Sequence, residues 1–217
     1  MSKLIKLKNK QLHKFIKIKQ IEEDLANGKF DRIDFFLKNT TLDGINYALE
    51  WASSYGKLDL IKKIIILIGE INFKSEIILK PACENCHIDI VKYALEHKAD
   101  ISSSNYAALT SAVRNSHYEI VHLLLKTAGH NSEEYNKALI IAIGNGSYGI
   151  AKLLIEYGSD VNSFEGVPLL SAIGLGNLEM VKILVNEQTT KTIIDSAIDY
   201  ASYLNKNEIV NFLKEKT

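Results

Sequence analysis

One alanine returns along this chain at an almost constant distance, and few folds accommodate such a rhythm. It stands at positions 52, 82, 112, 142, 172 and 201, so the gaps are 30, 30, 30, 30 and 29 residues. A Leu or Ile lies three places before each: Leu49, Leu79, Leu109, Leu139, Leu169 and Ile198. Four places after each comes Gly56, Cys86, Ser116, Gly146, Gly176 or Asn205, and Gly28 continues that series backwards. A fixed period of this size implies a stack of equal units, none of which can bury its own apolar face alone.

The text after each turn position rhymes again: "GKLDLIKKI", "CHIDIVKYAL", "SHYEIVHLLL", "GSYGIAKLLI", "GNLEMVKILV" and "NKNEIVNFL". Apolar residues fall two, four, five, eight and usually nine places after the turn residue, a helical stripe with an apolar last turn. Each unit therefore reads as a short helix, a tight turn and a second, longer helix. The alanine lets two helices approach, and enlarging it should cost roughly 1–3 kcal/mol through overpacking. The Leu or Ile three places earlier shares its helical face. The turn residue needs a backbone conformation that Gly adopts without strain and Asn tolerates.

These residues resemble ankyrin repeats. Residues 158–182, "GSDVNSFEGVPLLSAIGLGNLEMVK", carry the likeness best: "GSDVN" stands for Gly-Ala-Asp-Val-Asn, "VPLL" for Thr-Pro-Leu-His and "GNLEMV" for Gly-His-Leu-Glu-Val-Val. "HKADIS" at 97–102 is a weaker second copy of the first motif. The resemblance covers residues 21–217, with a partial unit at "EEDLANGKFDRIDFFLK" ahead of the six in full register. It implies an all-α solenoid of about seven helix-turn-helix repeats. The usual ankyrin period is about 33 residues, and the three missing here fall between the "DVN"-like segment and the next helix. Only Ser163 to Gly166 lie there in the best copy, so the β-finger is expected to shrink to a turn. Pro81 falls inside a first helix, where it removes a backbone donor and should distort the local backbone. The richness in Ile, Lys and Asn and the short period also resemble ankyrin proteins of large DNA viruses of amoebae, which would place the chain in a host cytoplasm.

The register disposes of a motif that would otherwise suggest a cofactor. Cys83-Glu84-Asn85-Cys86-His87 matches the C-x-x-C-H attachment pattern of a c-type haem. Yet Cys86 holds the place of Gly56 and Gly146, His87 the place of the family's usual His, as does His117, and Cys83 follows the packing alanine. A zinc site needs four ligands, and only His87 and His97 stand near this one Cys pair. Two small cysteines in a helix and its turn are expected, without haem, zinc or other cofactor. His13, His122 and His130 complete a scattered set of histidines with no paired metal motif, and all six read as turn or surface residues. "GNGSYG" at 144–149 lacks the Lys and the preceding strand of a phosphate loop. Nothing in the sequence argues for catalysis.

Composition narrows the function further. The 217 residues hold 26 Lys+Arg against 26 Asp+Glu, with 47% hydrophobic and 24% charged residues. A neutral chain lacks the basic excess of a general nucleic-acid or membrane-surface binder. Its longest apolar run, around "IIILIG" at 64–69, is far shorter than a bilayer span. The two cysteines are too few for a disulfide framework, so a reducing, cytoplasmic setting is expected. Only the first twenty residues depart, with seven lysines and no acid. They read as a basic capping segment that keeps the solenoid end soluble. The alternative is an arm for nucleic acid or an anionic membrane surface.

By the same resemblance, the places just before each turn residue line the concave face that ankyrin proteins offer to partners. Here they are Tyr55, Glu84, Asn85, Arg114, Asn115, Asn145, Leu175, Tyr203 and Leu204. Their chemistry changes from unit to unit while the frame stays constant. Tyr55 and Tyr203 stand out, because exposed tyrosines are common interface anchors. Trp51 and Tyr200, directly before packing alanines, read as core or half-core. The expected molecule is a monomeric, non-enzymatic module for a protein partner.

Overall fold

The computed structural model describes residues 20, 23–24, 41–68, 75–128 and 133–217. Residues 1–19, Gly28, His13, His130 and most of the partial first unit lie outside them. Six helix pairs run through the described residues: α1 (Leu42–Ser54) with α2 (Leu58–Ile68), α3 (Ser75–Glu84) with α4 (Ile88–Glu96), α5 (Ser103–Arg114) with α6 (Tyr118–Ala128), α7 (Glu133–Gly144) with α8 (Tyr148–Glu156), α9 (Ser163–Gly174) with α10 (Leu178–Leu184), and α11 (Lys191–Tyr203) with α12 (Asn207–Lys214). No strand occurs among the described residues. The fold is an all-α repeat solenoid.

All six packing alanines are fully buried, and the leucines before five of them are buried with them. Ile198 is half-buried, on a helix that packs only on α9 among the first helices. Each alanine has a second task. Its carbonyl accepts the N–H of the residue five places on, at 2.8–3.0 Å, from Lys57–Ala52 to Lys206–Ala201. In four units a shorter bond accompanies it, as from Gly146 N–H to the Ile143 carbonyl at 3.0 Å. This pair of bonds is the Schellman closure, which requires a left-handed residue between helix and exit. The turn residues supply it: φ is 67° at Gly56, 62° at Cys86, 57° at Ser116, 66° at Gly146, 67° at Gly176 and 56° at Asn205.

The shortened finger takes a definite form. Phe164, Glu165 and Gly166 have φ of 52°, 59° and 84°, a single left-handed turn that leads into the right-handed part of α9. Ser104, Asn105 and Tyr106 repeat it at the start of α5 with 50°, 55° and 57°. Three consecutive left-handed residues are costly for side chains with a Cβ. Neighbouring units hold these segments in place. Asn162 donates to the Gln188 carbonyl at 2.8 Å and accepts from Thr190 N–H at 3.2 Å, and Ser103 and Ser104 donate to Glu76 of the unit before.

Two expectations need correction. The second helix is not uniformly the longer one: α1, α3, α7 and α11 have 10–13 residues against 8–11 in their partners, while the right-handed part of α5, after its left-handed turn, is shorter than α6. The apolar stripe outruns the second helix: Val185 packs on the core from an extended C-cap beyond α10. Pro81 also leaves α3 intact, because the helix runs from Ser75 to Glu84 with helical dihedrals throughout. Its cost is confined to the Ile77 carbonyl, which has no N–H four residues on to accept from.

First helices pack against one another in an unbroken row from α1 to α11, while second helices touch more thinly from α4 to α12. On α12, Ile209, Val210 and Leu213 face inward, and Asn207, Glu208, Asn211 and Lys214 are exposed.

A candidate interaction surface on the first-helix row

Each first helix commits four positions of its register to the core, so the opposite side is left to solvent or a partner. Two places before the alanine this side holds Glu50, Lys80, Thr110, Ile140, Leu170 and Asp199; two places after, Ser54, Glu84, Arg114, Gly144, Gly174 and Tyr203. The chemistry alters at every step along a frame that does not.

The proposed partner residues separate into three groups. Tyr55, Leu175 and Tyr203 are open, at 60%, 57% and 81% exposure, and Glu84 and Arg114 are exposed as well. Tyr55 stacks on Trp51 with ring centroids 4.6 Å apart, so its ring is held flat and ready for contact. The asparagines spend their amides on the frame. Asn85 donates to the Pro81 carbonyl and Asn115 to the Ser111 carbonyl, each at 2.9 Å within its own helix. Asn145 reaches into the preceding unit and donates to the carbonyls of Val113 at 3.2 Å and Arg114 at 2.9 Å. Leu204 is half-buried against the core. Tyr200, expected as core or half-core, is exposed at 37%, on a helix that packs only on α9 among the first helices.

Sequence reasoning missed a polar ladder along the turn edge. In four units the residue after the turn position bonds to the unit before. His87 Nε2 donates to the Ser54 carbonyl at 2.9 Å and His117 Nε2 to the Glu84 carbonyl at 3.1 Å. Ser147 and Ser116 share a hydroxyl bond of 2.6 Å, and Asn177 accepts from the Tyr148 hydroxyl at 2.9 Å. The two histidines cap helix-end carbonyls that would otherwise lack partners, and the other two bonds join side chains of adjacent units. The signal was present as recurring small polar or His residues at one register position, which read simply as turn residues.

The cysteine pair is split by the same geometry. Cys83 is buried, and burial pushes its thiol far above the ordinary range. Cys86 is exposed at the turn, and both are free thiols. His87, the third member, points its Nε2 at Ser54 instead. Among the described residues no three His, Cys, Asp or Glu side chains gather as a metal would require. No helix among them is long and apolar enough to cross a membrane.

No curated protein matches the chain in a search of known sequences. The family described as "Ankyrin repeats (3 copies)" matches twice, over residues 49–136 and 139–217, which together span most of the chain. Ankyrin repeats are in general protein–protein interaction modules, and the family is typically non-enzymatic. With the buried alanines, the Schellman turns and the paired helices in the same register, the chain belongs to the ankyrin-repeat family.

Proposed function

We propose that this chain is a non-enzymatic adaptor that holds a protein partner on its first-helix face. One observation carries the reading: Tyr55, Glu84, Arg114, Leu175 and Tyr203 are exposed and vary in chemistry at the two register places before the turn of a repeated, buried frame. A scaffold under packing constraint alone would have no need of two highly exposed tyrosines and an exposed leucine there, since large apolar side chains gain nothing from water. Residues 1–20 fit a capping role, and the basic arm for nucleic acid or anionic lipid is the competing reading of the same lysines. The Ile, Lys and Asn content suits a viral ankyrin protein acting in a host cytoplasm.

The test is capture of partners on the immobilised full chain, compared with a Tyr55→Ala/Arg114→Ala/Tyr203→Ala variant of unchanged thermal melt. Loss of specific partners from the variant is expected. Retention of every partner at full strength sinks the face as the binding site. Binding that collapses with rising salt and vanishes on removal of residues 1–20 would favour the basic arm.

A further inference from the structure

The charges and gaps on the first-helix face are ordered, and the order describes an occupant. In the middle, on α7 and α9, the face is apolar and indented: Ile140 and Leu170 are half-buried, and Gly144 and Gly174 present no side chain. A Cβ placed on Gly144 would meet nothing within 4 Å, whereas one on Gly174 would meet the Tyr200 hydroxyl at 3.5 Å, so the open space lies at Gly144 and the tyrosine borders the notch beside Gly174. On the N-terminal side stands Arg114, and on the C-terminal side Asp195 and Asp199, all exposed. Lys137, a cation on α7, is already held by Glu134 at 2.7 Å. Among the described residues the Arg114 guanidinium and the Asp195 and Asp199 carboxylates make no hydrogen bond or ion pair. Unsatisfied charges of opposite sign thus flank an apolar notch.

Resting on the reading of this face as the partner site, we propose that it takes an extended segment of a protein partner that is acidic at one end, apolar in the middle and basic at the other. The acidic end lies over Arg114. A bulky apolar side chain fills the notch between Gly144 and Gly174 against Ile140 and Leu170. The basic end meets Asp199, with Asp195 one helical turn away and the Tyr203 ring alongside for cation–π contact. The span fits: from α5 to α11 are three helix–helix steps of about 10 Å each, roughly 30 Å, which an extended chain covers in about nine residues. A chain uniformly basic or uniformly acidic would meet repulsion at one end.

The experiment is selection from a displayed library of random peptides on the immobilised full chain, followed by fluorescence anisotropy of the enriched peptides. Enriched sequences should carry an acid and a Lys or Arg about nine residues apart with a large apolar residue between. Arg114→Glu and Asp199→Lys should each weaken them roughly fivefold or more, and replacing the peptide's acid by Lys should restore binding to Arg114→Glu. Enrichment without the charge pattern, indifference to both substitutions, or no enrichment at all overturns the proposal. Peptides that ignore Arg114 and Asp199 but are lost on Leu170→Glu, in a variant of unchanged melt, leave the face as the binding site and remove only the charge order. Peptides indifferent to all three substitutions remove both.

Discussion

The turn residues show how much backbone strain this frame tolerates, residue by residue. Gly146 sits at φ 66°, and a Cβ there would meet nothing within 4 Å, so Gly146→Ala isolates the cost of the left-handed backbone. That cost should be about 1–2 kcal/mol in urea denaturation. Gly56→Ala should cost more, because its Cβ would also fall 2.7 Å from the His87 ring. Cys86 already bears the strain at φ 62°. Cys86→Gly should therefore stabilise by about 0.5–1 kcal/mol, the relief exceeding the entropy that glycine adds to the unfolded chain. A loss of stability there would mean that the Cys86 side chain supports the turn in its own right. A second residue ties stability to pH. Tyr135 is buried edge-to-face against Tyr106, with centroids 5.8 Å apart. Burial first, then Tyr106 and Tyr157, push its phenol from 10.0 up to about 12. The unfolded chain gives up this proton at lower pH than the native one. The contribution to stability is thus complete below about pH 10 and drains away as pH rises toward about 12. Tyr135→Phe should flatten that alkaline fall in the urea midpoint; an equally steep fall would assign it to other groups.

Between elements, stability depends on which side chains cross from one unit to the next. Asn145 and Asn85 occupy the same register position, yet Asn145 holds two carbonyls of the preceding unit and Asn85 one of its own helix. Asn145→Ala should cost about 1–2 kcal/mol, and Asn85→Ala only a few tenths, as for an ordinary surface change. Equal costs in paired urea titrations would remove the inter-unit role. The same contrast shows what the sequence could and could not disclose. The period, the buried alanine and the left-handed turn were legible because steric demand at those places admits few residue types. The roles of Asn145, His87 and His117 were not, because a polar residue near a turn satisfies local sequence rules whichever carbonyl it bonds. Tyr200 is more open than its register place suggests for a related cause. The repeat register assigns burial as though every unit had two neighbours, and α11 packs only on α9 among the first helices. On the candidate surface, Tyr55, Glu84, Arg114, Leu175 and Tyr203 were accessible to reasoning from register alone.

At the scale of the whole molecule, each unit meets only the units beside it, so stability is a sum of unit terms and nearest-neighbour terms. Where a defect falls should then decide how far it spreads. Ala142 and Ala201 are both fully buried at equivalent places, but Ala142 lies between packed neighbours on both sides, with α5 before and α9 after, whereas α11 packs only on α9 among the first helices. Ala142→Leu should overpack two interfaces and cost roughly 1–3 kcal/mol or more. It should lower amide hydrogen-exchange protection in α5, α7 and α9 together, and could divide unfolding into separate transitions for the two halves. Ala201→Leu should loosen α11 and α12 and leave α3 to α8 as protected as before. The two exchange maps decide between a chain of coupled neighbours and a single indivisible core. If Ala201→Leu depresses protection evenly from α1 to α12, the units do not act pairwise. A partner lying across α5 to α11 would then gain nothing from the units' separate stabilities. If protection falls only where the leucine was placed, such a partner must itself couple the units it spans, and its binding should raise protection across all of them.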